Sequence, residues 1–247
     1  MRFMAMHRSS ASDEAGTPPS QEFMGSMGML IQEGMRAGVF IAGEGLQASR
    51  NRVRLHFRNG EHTLSRGPFE GSTDLLAGFA LIKARSMDDA TLWGVRLGKA
   101  LARDTEIEIG PVCEPWDLGM CPPPEGNPPI RYGVLYKGDP DAEAGRPTPP
   151  PVLASLAALR QEMTEAGVLL SMEALEPTRK STRLRFKAGE RTIIDGPFAE
   201  AKEVIAGFAL LRFDTLPDMI EWTGKFGRLF PEVLVDIRPL QEQGNLA

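Results

Sequence analysis

The chain has 247 residues, of which 42% are apolar and 25% charged, and a formal net charge of −5, which is the composition of a globular protein and not of a disordered one. Neither half is basic, which argues against nucleic acid as a partner, and no apolar run approaches membrane-spanning length. Residues 1–16 lack a signal-peptide-like apolar stretch and the two cysteines, Cys113 and Cys121, make neither a metal quartet nor a disulfide framework, so a cytoplasmic protein without metal or other cofactor is expected.

The first predicted element is a strand at Phe3–Met6, followed by a polar, Gly/Pro-rich loop. A helix carrying Phe23, Met27 and Leu30 at helical spacing comes next, with Gly38 at its C-terminal end. Leu55 and Phe57 then alternate with Arg54, His56 and Arg58 before Asn59-Gly60, a strong hairpin signal. A buried strand is predicted at 78–82. Ser86 and Asp89 stand at capping-box spacing before a helix with Trp93, and a last strand ends at Pro111. The stretch 113–129, with five prolines in its last eight residues, reads as a stiff, extended linker.

From residue 130 the same order begins again. Shifting the chain by 129 residues lays RGPFEGSTDLLAGFALI (66–82) on DGPFAEAKEVIAGFALL (195–211), and about 21 of the 59 positions from 38 to 96 are identical in register. A one-residue gap then brings 107–112 onto 235–240. This pattern predicts a tandem duplication with a first repeat over 1–112, a linker over 113–129 and a second repeat over 130–247. Each repeat reads β-α-β-β-β-α-β, an α+β, ferredoxin-like arrangement with both helices on one sheet face. The open face needs a cover, and a two-fold pairing is the commonest solution. The expected architecture is therefore an intramolecular pseudo-dimer whose halves stack face to face around a cavity, as a monomer or within a homo-oligomer.

The string DGPFAEAKE at 195–203, followed by Gly207-Phe208, resembles the signature of the DGPF branch of the YCII-related family. The flanking AGVLLSMEAL at 166–175 and VDIRPL at 235–240 are similar to that family's second and last strands. The resemblance covers nearly all of the second repeat and, more weakly, the first. It implies the dimeric α+β barrel fold. It also implies motif positions at Asp195, Gly196, Pro197, Phe198, Glu200 and Lys202. Most such proteins are uncharacterised; a few in the wider group are linked to small-molecule chemistry, including dehydrochlorination through a His–Asp pair, and DGPF members tend to be encoded beside extracytoplasmic-type sigma factors.

Asp195 is the candidate catalytic residue: a carboxylate facing a semi-buried cavity would have a raised pKa and serve as a general base. The competing reading makes it the start of an Asp-Gly-Pro turn. Arg66 stands at the matching position of the first repeat, either as a loss of the site or as an ion-pair partner placed opposite Asp195. All three histidines, His7, His56 and His62, fall in the first repeat, so a His–Asp pair can form only between the halves. Glu44 with Glu173, and Arg54 with Arg183, match at the fixed offset. They are candidate cavity residues together with His56 and Arg66, against a reading as structural bridges between strands. Two functions follow: binding of a small molecule between the sheets, with acid–base lyase or isomerase chemistry at Asp195, or a non-enzymatic accessory module acting with a sigma factor.

Overall fold

A computed structural model describes residues 1–69, 75–198 and 204–242. The first half runs β1 (Arg2–Arg8), α1 (Ala11–Ala15), α2 (Gln21–Arg36), β2 (Phe40–Gly45), β3 (Val53–Arg58), β4 (Glu61–Arg66), β5 (Leu76–Ala84), α3 (Met87–Leu101) and β6 (Thr105–Pro111). The second half follows the same order with β7 (Ile130–Lys137), α4 (Pro140–Glu143), α5 (Pro150–Glu165), β8 (Leu169–Ala174), β9 (Thr182–Lys187), β10 (Glu190–Asp195), β11 (Ile205–Arg212), α6 (Leu216–Gly227) and β12 (Glu232–Pro239). Short 3-10 turns at Ser49–Asn51 and Thr178–Lys180 precede β3 and β9.

Local chemistry sets these boundaries. The Ser86 and Thr215 hydroxyls accept the Asp89 and Asp218 amides at 3.1 and 3.3 Å, starting α3 and α6. Asn59-Gly60 and Ala188-Gly189 turn their hairpins with positive φ at both positions (52° and 82°; 52° and 83°), as a two-residue turn matched to strand twist requires. The elements α1 and α4 lie where the sequence reads as loop. Ser10 with Asp13, and Asp139 before Pro140, supply their caps.

The sheets do not follow the boundary between halves. One has the strand order β10-β9-β12-β1-β11-β2 and the other β4-β3-β6-β7-β5-β8, and every neighbouring pair is antiparallel. Each half thus contributes its first two strands to the sheet that holds the other half's last four. The face-to-face stacking of two self-contained halves, expected from the sequence, is replaced by an exchange of strands. The reason lies in the connection. After β6 the chain returns through 113–129 directly into β7, which pairs antiparallel with β6 from Ile107↔Tyr136 to Pro111↔Tyr132, so consecutive strands become neighbours. Part of that segment is compact: Glu114 accepts the Asp117 and Leu118 amides, and Met120 donates to Pro115.

Three apolar clusters define four layers. One packs α3 and α5 on the β3/β6/β7/β5 sheet, with Leu55, Ile82, Ile107 and Ile109 fully buried. A second packs α6 on the other sheet around Phe3, Leu184, Met219 and Ile237. The third lies between the sheets, where Met4, Met6, Phe208 and Leu210 of one face meet Phe79, Leu81 and Leu135 of the other. The Phe79 and Phe208 rings stand 4.8 Å apart at its centre. Burying a Phe or Leu side chain contributes about 1.5–3 kcal/mol, so this central layer is a principal source of cohesion. No helix among the described residues is long and apolar enough to cross a membrane.

Candidate functional site

A cavity of about 260 Å³ opens between the sheets, lined by Phe79, Leu81, Leu170, Ser171 and Glu173 on one side and by Arg2, Ile41, Ala42, Glu44, Phe208, Leu210 and Leu240 on the other. Its walls are largely pairs of residues at the 129-residue offset: Phe79 with Phe208, Leu81 with Leu210, Ile41 with Leu170, Ala42 with Ser171, Glu44 with Glu173. Two crossed ion pairs border it and join the sheets. Arg2 Nη1 lies 2.6 Å from Glu173 Oε1, and Arg131 Nη1 lies 2.7 Å from Glu44 Oε1 while its Nη2 reaches Glu114 Oε2 at 2.9 Å. Burial raises the Glu44 pKa, a shift that Arg131 reduces without cancelling. The Ser171 hydroxyl is buried with no hydrogen-bond partner among the described residues. It is a neutral polar group among the apolar side chains Phe79, Leu81 and Leu170, beside Glu173.

Away from the cavity, each sheet carries a buried charged centre under the Gly-Pro-Phe turn. In one, Arg54 Nε donates to Glu108 Oε2 at 2.8 Å, Glu106 Oε1 lies 3.6 Å from Arg54, and the Phe69 ring covers the Arg54 guanidinium at 4.0 Å. In the other, Arg183 binds Asp236 through two bonds of 2.6 and 3.0 Å, Arg8 binds the same carboxylate, and Phe198 covers Arg183 at 4.4 Å. Burial alone would raise both carboxylates. The Arg52, Lys137 and Arg54 charges outweigh it at Glu108, and the Arg183 and Arg8 bonds and charges do so at Asp236, holding both below the usual range. Lys137 stands where Arg8 stands in the other half. Burial lowers its pKa, and the charges of Glu108 and Glu106 offset only part of that.

The turn itself is held by a matched network. Ser49 Oγ accepts the Phe69 amide at 2.9 Å and donates to Glu14 of α1, and Thr178 Oγ1 accepts the Phe198 amide at 3.2 Å and donates to Glu143 of α4 at 2.7 Å. A Cβ at Gly67 or Gly196 would lie 1.8 Å from the carbonyl oxygen of Ser49 or Thr178. The Gly-Pro-Phe string is therefore explained by close backbone approach and by its phenylalanine, which covers a buried guanidinium. The Gly-Phe string is explained likewise. A side chain at Gly78 or Gly207 would collide with Tyr136 or His7 of the neighbouring strand, while Phe79 and Phe208 fill the inter-sheet layer.

Of the candidates read from the sequence, Glu44 and Glu173 line the cavity. Arg54 and Arg183 bridge adjacent strands to Glu108 and Asp236, outside the cavity wall. His56 joins the Arg54 centre, with Nδ1 3.3 Å from Glu106 and Nε2 2.9 Å from Ser65 Oγ. Asp195 is at the end of the edge strand β10, exposed along its whole length, where its carboxylate accepts the Thr182 hydroxyl at 3.2 Å. It does not face the cavity, because an outer edge strand leaves its end residue in water. Arg66 ends the equivalent edge strand β4, 3.9 Å from Asp88, and is not the partner of Asp195. Gly196, Pro197 and Phe198 form the turn just described; Glu200 and Lys202 lie outside the described residues. Sequence reading missed Arg2, Arg131, Glu14, Glu143, Lys137 and Ser171. All but Ser171 fall into charged pairs at the 129-residue offset (Arg2 with Arg131, Glu14 with Glu143, Lys137 with Arg8), which was the signal available.

His7 lies on the helix-facing side of β1, its ring 5.4 and 5.9 Å from those of Phe226 and Phe230. Burial lowers its pKa from 6.5 to about 4, against a backbone hydrogen bond to Gly207 and the charge of Asp13. A histidine held neutral by the fold stabilises it fully above its unfolded pKa and loses that contribution as pH falls toward the folded value. Unfolding in urea is expected to show a loss of roughly 2–3 kcal/mol from this residue between pH 7 and pH 4.5. His7→Tyr, which installs the side chain found at Tyr136, should remove that part of the pH dependence; an unchanged slope would refute the assignment.

These features define a two-sheet α+β protein with a cavity between its sheets, lined by apolar side chains and by Arg2, Glu44, Ser171 and Glu173, and no recognisable catalytic constellation among the described residues. Residues 130–228 match the model of the YCII-related domain. An uncharacterized protein of Rhizobium meliloti (strain 1021) is 34% identical over 90 residues, covering 36% of this chain and 73% of that protein. The chain belongs to the YCII-related family. No solved structure matches it. The matched segment supplies β7 and β8 to one sheet and β9–β11 to the other, so the family module does not coincide with one sheet here.

Proposed function

We propose that the chain is a duplicated YCII-related protein of the DGPF type. In this reading it is a strand-exchanged pseudo-dimer of the α+β barrel kind that binds a small, mostly apolar molecule between its sheets. The observation that carries the reading is the cavity of about 260 Å³ whose walls are drawn pairwise from both halves. Its dimensions approach the lower end of ligand pockets, at roughly 300 Å³. The apolar residues supply burial, the Ser171 hydroxyl is placed to hold one polar group, and the flanking Arg–Glu pairs favour a ligand with a polar end near the rim. Ala42 occupies in the first half the position that Ser171 holds in the second, so the two sides of the cavity differ and a ligand can be bound in one orientation.

Acid–base chemistry at Asp195 has no support from its exposed position; binding does not require it. The test is saturation-transfer NMR with the full chain against benzoate and branched short-chain acids. At least one probe is expected to bind with the affinity reduced tenfold or more by Ala42→Phe, and to be indifferent to Asp195→Asn. Thermal melting checks that Ala42→Phe remains folded. Binding unaltered by Ala42→Phe would sink the cavity reading, and dependence on Asp195 would restore the carboxylate as a site residue.

A further inference from the structure

A groove of about 640 Å³ lies on the outer, helical side of the β3/β6/β7/β5 sheet. It forms where α3, the end of β5 and the turn before β8 meet, and Lys83 N donates to Val168 O at 2.8 Å to close its floor. Leu92, Trp93 and Val168 provide apolar surface, and Leu92 is 64% exposed. Four cations line it, Lys83, Arg85, Arg96 and Lys99, against one carboxylate, Asp89. Arg96 lies over the Trp93 ring at 4.6 Å and is tied to Glu162 at 2.5 Å. Lys83, Arg85 and Lys99 are exposed and have no carboxylate within 4.0 Å among the described residues.

The other half provides an internal control. At the same offset Arg85 becomes Asp214 and Leu92 becomes Glu221, while Trp93 remains Trp222. The second groove position is thereby balanced in charge, and Glu221 is bonded to Arg191 at 2.7 Å. A cationic, apolar groove on one half of an acidic chain, absent from its counterpart, is complementary to an amphipathic anion. Apolar contact supplies the affinity of such a site and convergent cations its specificity.

We propose that this groove binds a free small molecule with an aromatic or branched apolar body and a carboxylate, sulfonate or phosphate group. The site is separate from the cavity between the sheets. The experiment titrates the full chain with 1-anilinonaphthalene-8-sulfonate and follows dye fluorescence and energy transfer from tryptophan. Arg85→Asp with Leu92→Glu, which rewrites the groove as its counterpart, is expected to weaken binding tenfold or more; Lys83→Glu with Lys99→Glu should do the same. Binding should also weaken as salt is raised, and the Trp93→Phe variant should lose most of the energy transfer.

All these substitutions are of residues at the surface or partly exposed, and circular dichroism verifies folding. Affinity unchanged in both double variants, or indifferent to salt, would overturn the proposal. So would loss of dye binding in Ala42→Phe, which places the dye between the sheets. Concentration-dependent dimerisation abolished by the groove variants would assign the groove to a second copy instead. Vesicle binding to phosphatidylglycerol, lost in those variants while dye binding persists, would assign it to a lipid surface.

Discussion

Residues 130–247 produced alone are expected to form a homodimer with native-like secondary structure, and residues 1–112 co-produced with them should form a 1:1 complex. In the whole chain β1 is a central strand paired with both β11 and β12, and Phe3 and Met4 are completely buried. Removing the first half therefore opens a gap in the middle of one sheet. The strands β7 and β8 can fill it, within one copy or between two. Either way the apolar face formed by Ile205, Phe208, Leu210 and Leu240 still needs a partner face, and exposing so large an apolar patch is unfavourable. Sedimentation velocity with circular dichroism decides the matter: a folded, monodisperse monomer of 130–247 would show that the sheets do not depend on each other.

A second large effect is expected at Arg52. This fully buried guanidinium donates to Glu108 at 2.8 Å, to the Gln47 carbonyl at 2.7 Å and, across the sheets, to the Ile205 carbonyl at 2.9 Å. In the other half Ser181 replaces Arg52, yet the equivalent carbonyls are still satisfied. Arg238 donates to Leu76 O at 3.0 Å and to Glu176 O at a matching position. Arg52 and Gly110 flank the paired residues Val53 and Ile109, just as Ser181 and Arg238 flank Thr182 and Ile237. The guanidinium thus comes from opposite members of one cross-strand pair. A Cβ on Gly110 would lie 2.7 Å from Arg52 Cγ, so only one member can be large.

Arg52→Met should cost about 3–5 kcal/mol in urea unfolding, because it leaves two buried carbonyls without donors and removes one of the two guanidinium groups bonded to the buried Glu108 carboxylate, of which only Arg54 remains. Arg52→Ser with Gly110→Arg, which transplants the other half's solution, should recover most of that loss. A single substitution costing under about 1 kcal/mol, or a double variant no more stable than the single, would refute this account.

The two charged centres differ in a way that bears on their use. Asp236 is shared by Arg8 and Arg183, whereas Lys137, in the place of Arg8, makes no hydrogen bond or ion pair within 4.0 Å through its ammonium among the described residues. Their common feature is the aromatic cover from Phe69 and Phe198. An Arg beneath a ring and bonded to a carboxylate gains cation–π attraction on one side and charge-assisted hydrogen bonds on the other. This explains why the phenylalanine of the Gly-Pro-Phe string occurs in both halves although Asp195 does not.

Much of the architecture was legible along the chain because it depends on near neighbours. Alternation at Leu55 and Phe57, the Asn59-Gly60 turn, the Ser86 and Thr215 caps and the fixed spacing of 129 residues each constrain a few consecutive residues, and the elements appear where those signals lie. Glu44 and Glu173 stood out for a related reason, since a charge matched at that spacing is an unusual demand on two sites. The match did not separate cavity from bridge: Arg54 and Arg183 are matched in the same way and lie outside the cavity wall, and both glutamates are themselves held in ion pairs. What linear reading left open was partnership. Which sheet receives β1 depends on the return of the chain from β6 into β7, so two halves with one pattern can pack separately or exchange strands without any local change. The exposure of Asp195 follows from the same global choice, because edge or centre is a property of strand order and not of a nine-residue motif. Arg52 and Arg238 are the clearest case: unlike positions in the sequence deliver one guanidinium to equivalent carbonyls, because a cross-strand pair offers two routes to the same point in space.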